Sequence, residues 1–80
     1  MTLDAKLAWR CRRGTRELDL LLQSFLKHVY PDLSTEERGA FEQLLDAQDP
    51  VLTDWLWGRA PLPQGPLGRV IARIRLEARL

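Results

Sequence analysis

Eighty residues, 45% hydrophobic and 29% charged, make one small globular domain and argue against a disordered chain. A single cysteine, Cys11, excludes an intramolecular disulfide, and no uncharged run approaches the ~20 residues that would cross a bilayer. Twelve Lys/Arg against eleven Asp/Glu leave a net charge of +1, too little for the general electrostatic grip on nucleic acid of a strongly basic protein.

Residues 4–12 form a predicted first helix, capped by Thr2 or Asp4, with Leu7, Ala8 and Cys11 on one face and Gly14 as its stop. The second helix begins at Arg16. Its apolar residues Leu18, Leu21, Leu22, Phe25, Leu26 and Val29 recur at helical period, and Pro31 prevents it from running on. Ser34-Thr35-Glu36-Glu37 is a capping box that opens a third helix, whose buried side is Phe41, Leu44 and Leu45. Asp49-Pro50 starts a fourth, with aspartate as N-cap and proline in the first turn; Leu52, Trp55 and Leu56 face inward and Gly58 closes it. After the turn-rich linker 60–66, the last helix directs Leu67, Val70, Ile71, Ile74 and Ala78 inward and spreads Arg69, Arg73, Arg75 and Arg79 over the rest. Connections of two to seven residues favour an antiparallel packing. The expectation is an all-α, compact five-helix bundle in which residues 1–80 form a single domain.

The charge is unevenly spread. Residues 1–19 hold five Lys/Arg and three Asp/Glu, residues 20–57 two and seven, residues 58–80 five and one. If the basic ends meet in space, one side of the molecule is positive and the other negative, which would orient it toward a charged partner. The alternative is a set of solvated helix faces.

Little in the chain supports catalysis. His28 and Cys11 are its only His and Cys, too few for the usual metal cluster, and no glycine-rich phosphate loop or dinucleotide fingerprint is present. Cys11 reads as a small buried hydrophobe; if exposed, its arginine neighbours would lower its pKa. His28 near the end of the second helix suits the helix dipole. Trp55 has core spacing. Trp57 must point elsewhere, and Trp9 departs partly from the Leu7/Cys11 face, so either is a candidate for a half-exposed interface residue.

The densest feature is Arg12-Arg13-Gly14-Thr15-Arg16-Glu17-Leu18-Asp19. Gly14 lets the chain turn and leaves backbone open to a partner. Thr15 is placed to cap the second helix through its hydroxyl, and Glu17 and Asp19 fall where the helix dipole favours negative charge. Arg13, Arg16 and Glu17 would then surround a spot of bare backbone, a docking surface. From the residues alone it is equally a helix–turn–helix junction with incidental charges.

The Arg13-Gly14-x-x-Glu17 core followed by Leu18-Asp19 resembles the signature of the SdhE-type flavinylation factors, small assembly factors of succinate dehydrogenase. The likeness continues through Phe25 and Tyr30, Leu33-Ser34-x-x-Glu37, Phe41-x-x-Leu44-Leu45-Asp46 and Asp49-Pro50-x-Leu52-x-x-Trp55-Leu56, in that family's order, over roughly residues 5–76. The resemblance implies a five-helix bundle that is no enzyme itself and carries no catalytic or metal-binding residue. It would promote covalent attachment of FAD to a histidine of the flavoprotein subunit of succinate dehydrogenase, or of the related fumarate reductase. FAD would belong to that partner, with no cofactor held stably by this chain. Arg13, Gly14 and Glu17 match the motif and would contact the flavoprotein, with Arg12, Arg16 and Asp19 flanking. The linker before the last helix is richer in proline and glycine than the family's.

Met1–Lys6 show neither the apolar stretch of a signal peptide nor the acid-free make-up of a transit peptide, so the expectation is a bacterial cytoplasmic protein, monomeric when free and not inserted in a membrane. Two other functions compete: a small regulatory or antitoxin-type protein-binding module, and a nucleic-acid-binding bundle.

Overall fold

The helical periods of the sequence become helices, and their apolar stripes meet in one core. The computed structural model of the chain describes residues 3–79. In order these form α1 (Leu3–Arg10), α2 (Arg16–His28), a 3-10 turn (Tyr30–Asp32), α3 (Thr35–Leu44), α4 (Asp49–Leu56) and α5 (Pro66–Ala78). Among the described residues there is no strand, and no helix is long and apolar enough to cross a membrane.

α2 buries Leu18, Leu22, Phe25 and Val29 and half-buries Leu21 and Leu26. Its last backbone bond runs from the Val29 amide to the Phe25 carbonyl at 2.9 Å. Pro31 has no amide to continue the ladder, and the chain tightens into the 3-10 turn. That turn aims Tyr30 at the core. Phe41, fully buried on α3, has Phe25 on one side and Tyr30 on the other, each with ring centroids 5.4 Å away and tilted. Such pairs contribute about 0.5–1.5 kcal/mol beyond the area they bury. The Tyr30 hydroxyl stays satisfied by donating to Glu42 Oε2 at 3.2 Å.

The capping box at the start of α3 is complete. The Glu37 amide donates to Ser34 Oγ at 3.2 Å, and the Ser34 amide donates to Glu37 Oε1 at 3.2 Å. The Ser34 amide, and secondly its hydroxyl, hold the Glu37 carboxyl below the usual range. Three other ends differ from expectation. Thr15 is the N-cap of α2 by backbone, but its hydroxyl caps nothing. Gln48, not Asp49, is the N-cap of α4; Asp49 is already helical and its carboxylate is engaged elsewhere. Asp4 falls inside α1 rather than before it, the helix stops at Arg10, and Thr2 lies outside the described residues. Leu7 and Cys11 face the core as expected, whereas Ala8 is exposed.

Gly58 does close α4, taking φ +74° directly after the C-cap Trp57. Because α4 ends at Leu56 and Pro66 already belongs to α5, the connection spans 57–65, longer than the two to seven residues anticipated. Trp55 is packed against the core, while Trp57 and, more fully, Trp9 are exposed.

α5 packs across α2, α3 and α4 through Val70, Ile71 and Ile74. The closest approach is at Gly68, where an added Cβ would lie 1.9 Å from the Pro63 carbonyl oxygen. The proline-rich linker thus folds back on its own helix, and only glycine leaves it room. Gly68→Ala is expected to lower stability by about 1–3 kcal/mol, as for overpacked sites. Gly39→Ala, in α3 with nothing within 4 Å of its Cβ, should raise it by about 0.5–1 kcal/mol through helix propensity. Thermal unfolding followed by circular dichroism distinguishes the two, and equal midpoints would refute the close approach.

Candidate functional site

The segment between α1 and α2 is built around a turn that needs glycine. Gly14 has φ +88°, a backbone conformation that side chains with a Cβ rarely adopt. An added Cβ at this position meets nothing within 4 Å, so the space beside it is open to the outside. Arg12, Thr15, Arg16 and Glu17 around it are all exposed. Among the described residues Arg16 and Glu17 form no ion pair, and Arg12 lies over the exposed Trp9 ring, 5.5 Å from its centroid. Gly14, Arg16 and Glu17 are thus exposed side by side at this turn.

Arg13 does not stand with them. Its side chain is largely covered, 16% exposed, and turns inward across the bundle. Nε donates to Asp49 Oδ1 at 2.8 Å and Nη1 to the Leu45 carbonyl at 2.8 Å; Nη2 donates to the Ala47 carbonyl. Asp19 is likewise an internal partner, since its Oδ1 accepts from the Arg13 amide and ties the turn to the first coil of α2. Next to this, Arg10 Nη2 donates to the Glu42 carbonyl at 2.9 Å and to Asp46 Oδ1 at 2.7 Å.

The cause lies at the end of α3. A helix C-terminus leaves carbonyls without intrahelical partners and carries the negative end of the dipole. The Glu42, Leu45 and Ala47 carbonyls accept nothing from the amides of their own turn. Two guanidinium groups reach over and fill them. Nothing in the spacing of Arg13 and Asp49 points to this, because the partners are 36 positions apart. The available signal was the short turn between two helices, whose carbonyls had to find donors.

Cys11 sits at the same junction, buried and free. Burial pushes its thiol up to about 11, against the opposing pull of Arg10 and Arg13. It is a packed hydrophobe, as one of the two sequence readings had it. Among the described residues no three His, Cys, Asp or Glu side chains converge in a way that could hold a metal ion.

The uneven charge is also resolved here. Arg10–Asp46, Arg13–Asp49, Arg59–Asp54 and Arg69–Glu36 all join a basic end of the chain to its acidic middle. These four pairs fold parts of both basic ends onto the acidic middle.

Arg13→Lys should cost about 1–3 kcal/mol, because a single ammonium cannot serve one carboxylate and two carbonyls in a fork. The loss is read as a lower urea midpoint at unchanged slope; an unchanged midpoint would contradict the clamp. Cys11 sets a second expectation. Its folded pKa of about 11 exceeds the ordinary thiol value of 9.0, so between these pH values the unfolded chain binds fewer protons than the native one and stability falls as pH rises. The slope is at most about 1.4 kcal/mol per pH unit. It should be missing in Cys11→Ala, measured by urea titration from pH 8 to 11.

Comparison with known proteins agrees on one family. The model of the family described as flavinator of succinate dehydrogenase matches residues 5–78. The chain is similar to the FAD assembly factor SdhE of Shewanella oneidensis, 42% identical over 74 residues that cover 92% of this chain and 90% of that protein. It is 40% identical over 70 residues to the FAD assembly factor SdhE of Coxiella burnetii, covering 88% and 85% of the two chains. With the FAD assembly factor SdhE of Pectobacterium atrosepticum the identity is 39% over 77 residues, 94% of this chain and 88% of the other.

Proposed function

The chain belongs to the succinate dehydrogenase flavinator family, and from that premise we infer that it is an FAD assembly factor, an accessory protein and not itself an enzyme. The observation that carries the reading is the Gly14 turn, a glycine at φ +88° with open space beside it and the exposed charges of Arg16 and Glu17 on its flank. This surface docks the flavoprotein subunit of succinate dehydrogenase, and the same surface serves the related fumarate reductase. The bond between the flavoprotein's histidine and the 8α-methyl carbon of FAD is made within the partner. This chain supplies no nucleophile and holds no cofactor of its own. It holds the flavoprotein so that histidine and flavin stay aligned, and alignment alone can remove several kcal/mol from a barrier.

Within the motif the work divides. Gly14, Arg16 and Glu17, with Arg12 beside them, make the contact. Arg13 and Asp19 hold the turn in the shape that is contacted. The free protein is monomeric and acts in the bacterial cytoplasm, where the flavoprotein subunit is loaded.

The test is in-gel flavin fluorescence of the host's flavoprotein subunit, with this gene deleted and then restored. Wild type should return the signal and Gly14→Arg should not. Gly14→Ala shares the backbone strain but not the bulk, and should return most of it. Both variants are expected to keep the far-UV helical signal, and loss of it would sink the assignment of a surface effect. Fluorescence unchanged by the deletion would refute the function in that host.

A further inference from the structure

We propose that the open groove between α2 and α5 continues the docking surface, and that it receives an amphipathic segment of the flavoprotein, with apolar side chains entering the groove and a lysine or arginine meeting Glu17. This rests on the docking of the flavoprotein at Gly14 and Glu17. Glu17 belongs to both features, since it is in the turn-proximal coil of α2 and also lines the groove. The groove encloses about 660 Å³. Leu21 and Ile74 are part of its floor, and Leu20 lines it while remaining 61% exposed. Leu20 lies off the buried stripe of α2, so the core makes no use of it. One exposed leucine is ordinary, but here it joins an apolar floor that the fold leaves uncovered.

The charges at the groove select the occupant. Glu17 and Glu77 are its carboxylates; Glu77 is held by Arg73 at 3.1 Å, whereas Glu17 has no ion pair among the described residues. His28, the remaining titratable group of the lining, is bonded to its own helix at the Ser24 carbonyl. A second copy of the chain related by a two-fold axis would set this surface against itself and bring like carboxylates together. A cationic amphipathic segment is complementary instead.

The experiment measures binding of this chain to the purified, FAD-loaded flavoprotein subunit by interferometry. The proteins compared are wild type, Glu17→Ala, Leu20→Asp and Leu76→Asp, each checked for helical signal. Leu76 is 70% exposed on α5 and does not line the groove. Leu20→Asp should weaken binding about tenfold or more, as for a contact near the centre of an interface, while Leu76→Asp stays within about twofold of wild type. If Glu17→Ala binds poorly and Leu20→Asp binds like wild type, the groove proposal falls and the docking turn stands. If wild type shows no affinity for the flavoprotein, both fall. Sedimentation supplies the last arm: a wild-type dimer abolished by Leu20→Asp, with flavoprotein binding intact, would assign the groove to a second copy and overturn the proposal.

Discussion

The open end of α3 is the constraint from which the rest of this structure follows. The Glu42, Leu45 and Ala47 carbonyls, at this end and in the turn just beyond it, accept no amide of their own turn and lie near the negative pole of the helix, so they favour positive donors. Arg10 and Arg13 answer both needs at once. Because these arginines leave from α1 and from the turn after it, satisfying α3 fixes where that turn lies. Arg13 also takes Asp49 at the start of α4, so one side chain joins the α1–α2 turn to two further helices. Its planar fork suits this role, since it offers several donors in fixed directions and loses little freedom for each bond formed. The pair with Asp49 is largely covered, and its value lies in this geometry more than in charge attraction alone.

A bundle of this size has little core to spare, and much of its order comes from close fits at a few points. Phe41 at the centre of the aromatic cluster and Gly68 beneath the linker are two of them. The first collects α2, α3 and the 3-10 turn around one ring. The second lets the 57–65 connection lie against α5, so that the longest irregular stretch is held by packing and adds little slack. Charge is arranged in the same economical way. Ion pairs that bridge the basic ends and the acidic middle draw distant parts of the chain together, although the exposed ones, such as Arg69–Glu36, contribute about 1 kcal/mol at most.

What could be read from the sequence was whatever depends on neighbours within one turn of helix. The stripe of α2, the capping box at Ser34 and the closing glycine at Gly58 are local patterns, and each appears where the spacing placed it. Thr15 and Asp49 show the limit of such patterns. Both have residue types that cap helices, yet Thr15 makes no side-chain cap and Asp49 turns to a guanidinium far away in sequence. Propensity names the candidates for a cap, and tertiary donors decide which are used. The motif was legible as a turn with exposed charge, and Gly14 and Glu17 bear that out. The inward course of Arg13 was not legible, because its cause is a set of backbone carbonyls, which leave no trace in residue type.

Arg13 and Glu17 therefore come together in the motif for different physical reasons. A contact residue must be accessible and unpaired in the free protein, or docking would first have to break what holds it. Glu17 is exposed and forms no ion pair among the described residues, whereas freeing the Arg13 guanidinium would take that donor from the Leu45 and Ala47 carbonyls. The glycine between them belongs to both roles. Its positive φ lets the chain leave α1, commit Arg13 to the interior and enter α2 with Glu17 facing out. Replacing it strains the turn that the arginine holds and crowds the surface that the glutamate faces. The shape of the turn is thus fastened, through Arg13, to the backbone just beyond the end of α3.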